Sequence, residues 1–453
     1  MPFKDLKEFL DFLEEKNELV RIRKEVDPKY EGTAIAKKMD KEGGPAVLFE
    51  KIKGYGPEVS VVANVLGTRR RLAFGLETTE KNLVDEYLKR REKLVPPKKV
   101  NTGPVKEVVE KGEDIDILRS LPVFTYHEGD ASPYISAGVV VSKNPETGLL
   151  AAGIHRVQVR GKNKLGALVL TPPVSTAYNK AEEMDKPLDV AIAVGLEPAT
   201  LFASVVLAPM GPDKFTIAGS IRNEPVELTG CETVDVEVPA YAEVVVEGKL
   251  LPKLREVDGP FGETGGYYVT TESPVLQVNA ITHRSRFIYQ VIVPWTAENM
   301  ILFGTSWEGE LYKTVKTAIP AVKALHLTVG SGCAHAVLMV KKRTDEEARQ
   351  ALAFILSVNP FIKHAVAVDE DVDIYNPKEV EWALATRFQG DKDMVVLNQL
   401  PGSVLDPSTG KNWTTTKIGF DATKPLTEVN KYRKVRVPEE IEKKVEENWD
   451  TYF

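Results

Sequence analysis

Near the N-terminus, apolar residues fall at 6, 9, 10, 12 and 13 among charges in "LKEFLDFLEE". That three-to-four spacing predicts an amphipathic helix over 4–16. A short strand is predicted at 18–23, a second helix near 31–42, and strands at "PAVLFEKI" and "VSVVANVL". The charged helical stretch "TEKNLVDEYLKRREKL" then meets "VPPKK", where two prolines break the pattern close to residue 100.

Beyond that break the apolar period shortens to two. The runs "YISAGVVVSK", "GIHRVQVR", "DVAIAVGL", "ASVVLAPM", "VLQVNAITHR" and "RFIYQVIVP" are separated by Gly, Pro and Asn, which predicts antiparallel strands closed or nearly closed on themselves. Helices return afterwards at 344–357 and 377–386, alternating with "AHAVLMVKK" and "HAVAVDEDVDIY". The predicted fold class is α+β and multidomain: an N-terminal α/β domain over 1–100, a barrel-like β domain over 101–305, and a C-terminal α/β domain over 306–453. In the tail "EEIEKKVEENWDTYF", Ile441, Val445, Trp449 and Phe453 recur every four residues, which predicts an oligomerising helix.

A length of 453 residues suits two or three domains at about 150 residues each, and 43% hydrophobic residues can fill their cores. The net charge of −7 is mild and both signs are interspersed, which argues against nucleic-acid and membrane-surface roles. No run of eighteen apolar residues occurs, so a soluble, cytoplasmic protein is expected. Lys and Glu dominate the 28% charged residues, a balance that leans toward a thermophilic source. Two cysteines, Cys231 and Cys333, are too few for a disulfide framework, and the six histidines are too dispersed to form a ligand cluster by spacing. Phosphate-loop, zinc-protease and serine-hydrolase motifs are missing.

The stretch that calls for chemistry is "EVDGPFGETGGYY" at 256–268, where Asp258 and Glu263 flank a Gly-Pro turn. Pro260 fixes its own φ and the glycines accept conformations other residues resist, so the backbone holds the two acids in place. Such a turn is either an exposed hairpin end or a loop that presents an acid to a substrate.

Taken in order, "SPYISAGVVVSKNPETG", "GIHRVQVRGKNKLGALV", "GPFGETGGYY", "VDEDVDIYNPKEVEWALATR" and "TKIGFDATKP" resemble the UbiD family of decarboxylases, whose archaeal-type members are included in the likeness. The resemblance covers nearly the whole chain. It implies a central split β-barrel like that of flavin reductases, and prenylated FMN as cofactor, supplied by a separate flavin prenyltransferase. It implies Arg156 as anchor of substrate carboxylate and cofactor, Asp258 as the acid orienting Arg156, and Glu263 as proton donor. The first acid is commonly Glu in the family, so Asp258 is a departure. Cofactor contacts implied besides Arg156 are Ser175, Lys214 and Lys417, the last matching a phosphate-binding lysine.

Where the family holds a divalent metal through Asn, His and Glu, the matched positions here are Ala151, Ser175 and Lys214. A bound metal is therefore doubtful, and the Lys214 ammonium is expected to neutralise the phosphate instead. The implied activity is non-oxidative decarboxylation of an α,β-unsaturated or aromatic acid, with anhydromevalonate phosphate the leading substrate and a 4-hydroxybenzoate-like acid the runner-up. A homodimer or higher homo-oligomer is implied as well. A non-catalytic binding or assembly paralogue on the same fold is the alternative of a different class.

Overall fold

The computed structural model describes residues 2–112, 114–207 and 212–453. The first predicted helix spans Leu6–Glu15; the Asp5 side chain caps it by accepting from the Glu8 amide at 2.9 Å, and Leu6, Phe9, Leu10 and Leu13 are buried. Strands Leu19–Ile22, Ala46–Phe49 and Val59–Ala63 form a sheet whose fourth member is Phe287–Gln290, parallel to Val59–Ala63. "RFIYQVIVP" thus forms the predicted strand but pairs outside the middle sheet. Alternation identifies a strand and one buried face, and it carries no information about which sheet receives it.

The middle of the chain forms a nine-stranded sheet, running Tyr134–Ile135, Val157–Val159, Lys164–Ala167, Tyr268–His283, Val244–Gly262, Leu188–Val194, Val139–Lys143 and Leu150–Ile154, with Val108–Lys111 also pairing with Tyr268–His283. No ladder joins its two ends among the described residues. Along Leu188–Val194 the even residues Val190, Ile192 and Val194 enter one core, and Ala191 and Ala193 enter another. Both faces are covered, which is why this segment reads as a continuous apolar run.

Three helices that the sequence pattern missed cover this sheet: Val174–Glu183, Pro198–Val205 and Lys214–Arg222. "ASVVLAPM", read as a strand, instead supplies the last residues of Pro198–Val205, and its residues 208–210 lie outside the described residues. The overlooked signal is Glu197-Pro198, with Glu197 capping the amides of Ala199 and Thr200 at 2.7 and 2.8 Å.

Helix Ala297–Ala318 leads into a five-stranded sheet ordered Val322–Leu327, His335–Val340, His364–Val368, Thr414–Asp421 and Met394–Pro401. Helices Glu346–Val358 and Pro377–Arg387 fall where predicted. The tail helix is Glu439–Glu447; Trp449–Tyr452 is a separate 3-10 turn, so the apolar stripe does not lie on one continuous helix. Ile441, Trp449 and Phe453 are exposed. No helix among the described residues is long and apolar enough to cross a membrane.

Candidate active site

Arg156 sits at the junction of strands Leu150–Ile154 and Val157–Val159, its carbonyl accepting from the Leu168 amide at 3.1 Å. Its Nε donates to Asp258 Oδ1 at 2.9 Å, Nη2 lies 2.7 Å from the same oxygen, and Nη1 donates to Glu263 Oε1. The guanidinium also lies 5.2 Å from the Phe261 ring centroid. Asp258 is fully buried, and its Oδ2 accepts from Ser273 Oγ at 2.9 Å and from Arg160 Nη2 at 3.3 Å. Burying these charges is tolerable because each is paired with an opposite charge, while Arg156 Nη2 and Arg160 Nη1 are left without a hydrogen-bond partner among the described residues. The shorter Asp reaches the guanidinium at ordinary hydrogen-bond distance, so the missing methylene costs no contact.

The Gly-Pro pair, expected as a turn, is instead a bulge inside strand Val244–Gly262, and it accounts for how the two acids share one arginine. Strands Val244–Gly262 and Tyr268–His283 pair as a hairpin whose register shifts between Asp258 and Phe261. Gly259 has φ +104°, and a Cβ there would lie 2.5 Å from Val269 O, so both conformation and space require glycine. The bulge re-aims the strand, as bulges beside functional sites commonly do. Asp130 then fixes it from outside: Oδ1 accepts from the Gly262 amide at 2.9 Å, and Oδ2 from the Tyr126 and His127 amides at 3.1 and 2.8 Å. Burial pushes the Asp130 carboxyl up, but the hydrogen bonds from His127 and Gly262 outweigh it and hold the pKa below its usual value. His127 Nε2 lies 2.7 Å from Lys37 Nζ, which stands 5.2 Å from the Trp295 ring centroid.

The acid–arginine cluster contains all three residues expected to carry the chemistry. Sequence reasoning missed Arg160, Ser273 and Asp130. Arg160 was within reach, because Arg156, Gln158 and Arg160 alternate along "HRVQVR", and Arg160 Nε does donate to Gln158 Oε1 at 2.9 Å. Ser273 and Asp130 arrive from distant segments and leave no local signal.

The expected cofactor residues lie elsewhere. Ala151 is buried on strand Leu150–Ile154, Ser175 is in the first turn of Val174–Glu183, and Lys214 opens Lys214–Arg222. Both helices pack on strand Leu150–Ile154, so the three positions come from neighbouring elements. They do not fit a divalent ion: alanine offers no donor atom and an ammonium repels a cation. Among the described residues no group of three or more His, Cys, Asp or Glu is placed to hold a metal.

Lys214 donates to Val206 O, and burial, followed by the neighbouring Arg91, brings its pKa down to about 8. Lys417, in strand Thr414–Asp421, is buried with Nζ on Asn359 O; burial brings it also to about 8. These two ammoniums suit a bound anion such as a phosphate. His155, just before Arg156, is buried, its Nε2 has no partner among the described residues, and burial lowers its pKa to about 4.

Comparison with known proteins shows the family of the chain. Three family profiles match in succession: the N-terminal, Rift-related and C-terminal domains of 3-octaprenyl-4-hydroxybenzoate carboxy-lyase, over residues 10–91, 98–297 and 301–422. An anhydromevalonate phosphate decarboxylase of Methanosarcina mazei is 36% identical over 441 residues, spanning 96% of this chain and 99% of the relative. A phenolic acid decarboxylase of Sedimentibacter hydroxybenzoicus is 34% identical over 448 residues, spanning 94% and 92%. The solved structure of the UbiD-class enzyme HmfF from Pelotomaculum thermopropionicum in complex with FMN is 40% identical and superposes with a TM-score of 0.92, covering 96% of this chain and 97% of that one. With profiles matched across all three segments and full-length relatives above 30% identity, the chain belongs to the UbiD family.

Proposed function

We propose that this chain is a prenylated-FMN-dependent, non-oxidative decarboxylase of an α,β-unsaturated or aromatic carboxylic acid. The observation that carries the reading is the buried Arg156 held jointly by Asp258 and Glu263. On this reading the nine-stranded sheet is the family's split β-barrel, and the chain divides near residues 100 and 305. Prenylated FMN, when bound, supplies the electron sink that an unstabilised vinyl or aryl carbanion lacks. Arg156 binds the substrate carboxylate in bidentate fashion, and Asp258, locked by Ser273 and Arg160, fixes the plane of that guanidinium. As CO2 leaves, the carboxyl of Glu263 gives its proton to the vacated carbon and is reprotonated from solvent. Water is excluded on the hairpin side by Phe261, which is buried.

The leading substrate is anhydromevalonate phosphate, supported by the relatives of that name and matching length; a 4-hydroxybenzoate-like acid is second, supported by the phenolic acid decarboxylase. The deciding experiment co-expresses the chain with a flavin prenyltransferase and follows both acids in D2O. One deuterium at the carbon that lost CO2, for one of the two, is the expected result. A flavin-loaded protein that turns over neither would overturn the substrate assignment, and a protein that acquires no flavin would overturn the reading as a whole.

The same reading includes self-association through the tail. From Pro438 onward no hydrogen bond among the described residues ties the tail to the body, and Val437, Ile441, Val445 and Trp449 line an apolar cleft of about 650 Å³. Deleting residues 438–453 is expected to lower the mass seen by light scattering to that of a monomer.

A further inference from the structure

Among the described residues, buried cations are matched by acids, with two exceptions. The guanidiniums of Arg71, Arg156, Arg160 and Arg387 each meet a carboxylate within 3.3 Å. Lys214 is 6% exposed and Lys417 1% exposed, yet no carboxylate pairs with either among the described residues. Each ammonium has three protons to donate, and the bonds to Val206 O and Asn359 O use one apiece. The acid next in sequence, Asp213, is committed to its own helix, accepting from the Phe215 and Thr216 amides at 2.9 and 3.0 Å. The charge beside Lys214 is a further cation, Arg91, itself paired with Glu310. A buried charge without a counter-charge is strongly unfavourable unless something brings one.

The two lysines are also linked through adjacent residues of helix Ala297–Ala318. Val205 O, beside the carbonyl that Lys214 holds, accepts from Ser306 Oγ at 3.3 Å. Asn359, which Lys417 holds, accepts from the Phe361 amide at 2.8 Å, and the Phe361 ring lies 4.9 Å from that of Trp307. Trp307 Nε1 is buried with no partner among the described residues. Two acid-free ammoniums are therefore tied, through the segments around Val206 and Asn359, to the adjacent residues Ser306 and Trp307 of this helix, and with the orphaned N–H all three groups are donors.

We propose that Lys214, Trp307 Nε1 and Lys417 form a phosphate-binding subsite in which the fixed charge of Lys214 replaces a divalent ion. The inference rests on the flavin reading above, since the phosphate concerned is that of a flavin mononucleotide. A tethered ammonium cannot be chelated away, so the subsite is independent of metal supply.

The test titrates the unloaded protein, treated with EDTA, with FMN and separately with riboflavin, which lacks the phosphate, and follows quenching of flavin fluorescence. Wild type is expected to bind FMN more tightly than riboflavin with EDTA present and to gain nothing from added Mn2+. Lys214→Met should weaken FMN about 10–100-fold, as loss of a charge-assisted contact would, and leave riboflavin unchanged; Lys214→Arg should recover part of the loss. If Lys214→Met does not fold by circular dichroism, Trp307→Phe provides the same FMN-against-riboflavin comparison. Equal affinity of wild type for the two flavins, unchanged FMN binding in the variants, or FMN binding that EDTA removes and Mn2+ restores would each overturn the subsite. If wild type binds neither flavin, the flavin reading falls with it.

Discussion

Arg156 and Lys214 are both buried cations flanking strand Leu150–Ile154, yet the protein treats them oppositely. Arg156 is held by two acids, one of which is anchored by a serine and a second arginine. Lys214 is held by one carbonyl and has a cation for a neighbour. The first region has its charges paired without any ligand, so the guanidinium of Arg156 is held in place by protein groups alone. The second is left short of negative charge, so its stability depends on what binds. Proton transfer needs fixed atoms, whereas retention of an anionic group needs unspent charge, and on the proposed function the two regions would divide these tasks.

The largest expected effect breaks the first region chemically. Glu263→Gln keeps the shape of the side chain but removes the proton, and should lower turnover about 10²–10⁴-fold while flavin binding persists; turnover near the wild-type rate would remove Glu263 from proton transfer. Next comes a contrast of sign in stability. Asp258→Ala strands two buried guanidiniums and should cost about 3–5 kcal/mol in urea unfolding, whereas Lys214→Met removes an unpaired charge and should leave the unloaded protein as stable or more so. Similar losses in both would erase the distinction between the regions.

A pH titration sharpens the comparison from the other side. Burial holds Lys214 and Lys417 near pKa 8, below the 10.5 of a free lysine. Between these values the unfolded chain binds more protons than the folded one, so the lysines' contribution to the stability of the unloaded protein improves as pH rises from about 8 toward 10.5. FMN affinity should run the other way, falling above about pH 8 as the ammoniums lose their protons, with riboflavin affinity flat. A fluorescence titration at several pH values reads both. The smallest effect is Ser273→Ala, which removes one hydrogen bond from Asp258 and should cost about 1 kcal/mol with a modest loss of turnover.

Much of this was legible in the sequence where the signal is local. The helix Leu6–Glu15 follows from its apolar spacing, and the closeness of Asp258 and Glu263 from the Gly-Pro core between them, although that core is a bulge inside strand Val244–Gly262 and not the turn expected. Helices Pro198–Val205 and Lys214–Arg222 over the middle sheet were hidden because nearly all their residues are buried and leave no polar face to mark the period, whereas Val174–Glu183 does carry one, with Thr176, Asn179 and Glu183 exposed, and was overlooked. Arg160 could be read from alternation, but Ser273, Asp130 and Trp307 join their partners only through tertiary folding. That no carboxylate among the described residues pairs with Lys417 could not be read at all, since a sequence shows which charges exist and not which of them meet.

The strand Phe287–Gln290 completes the first sheet from far along the chain. Translation at roughly 5–20 residues per second leaves Val59–Ala63 without that neighbour for on the order of ten seconds or more. During that interval the nascent chain carries an apolar, unpaired strand edge, the kind of surface on which separate chains associate. A fragment ending before residue 287 would carry the same open edge permanently. Cutting this protein near residue 100 would thus produce a piece prone to aggregate, because the sheet of the N-terminal segment is completed only by residues up to 290.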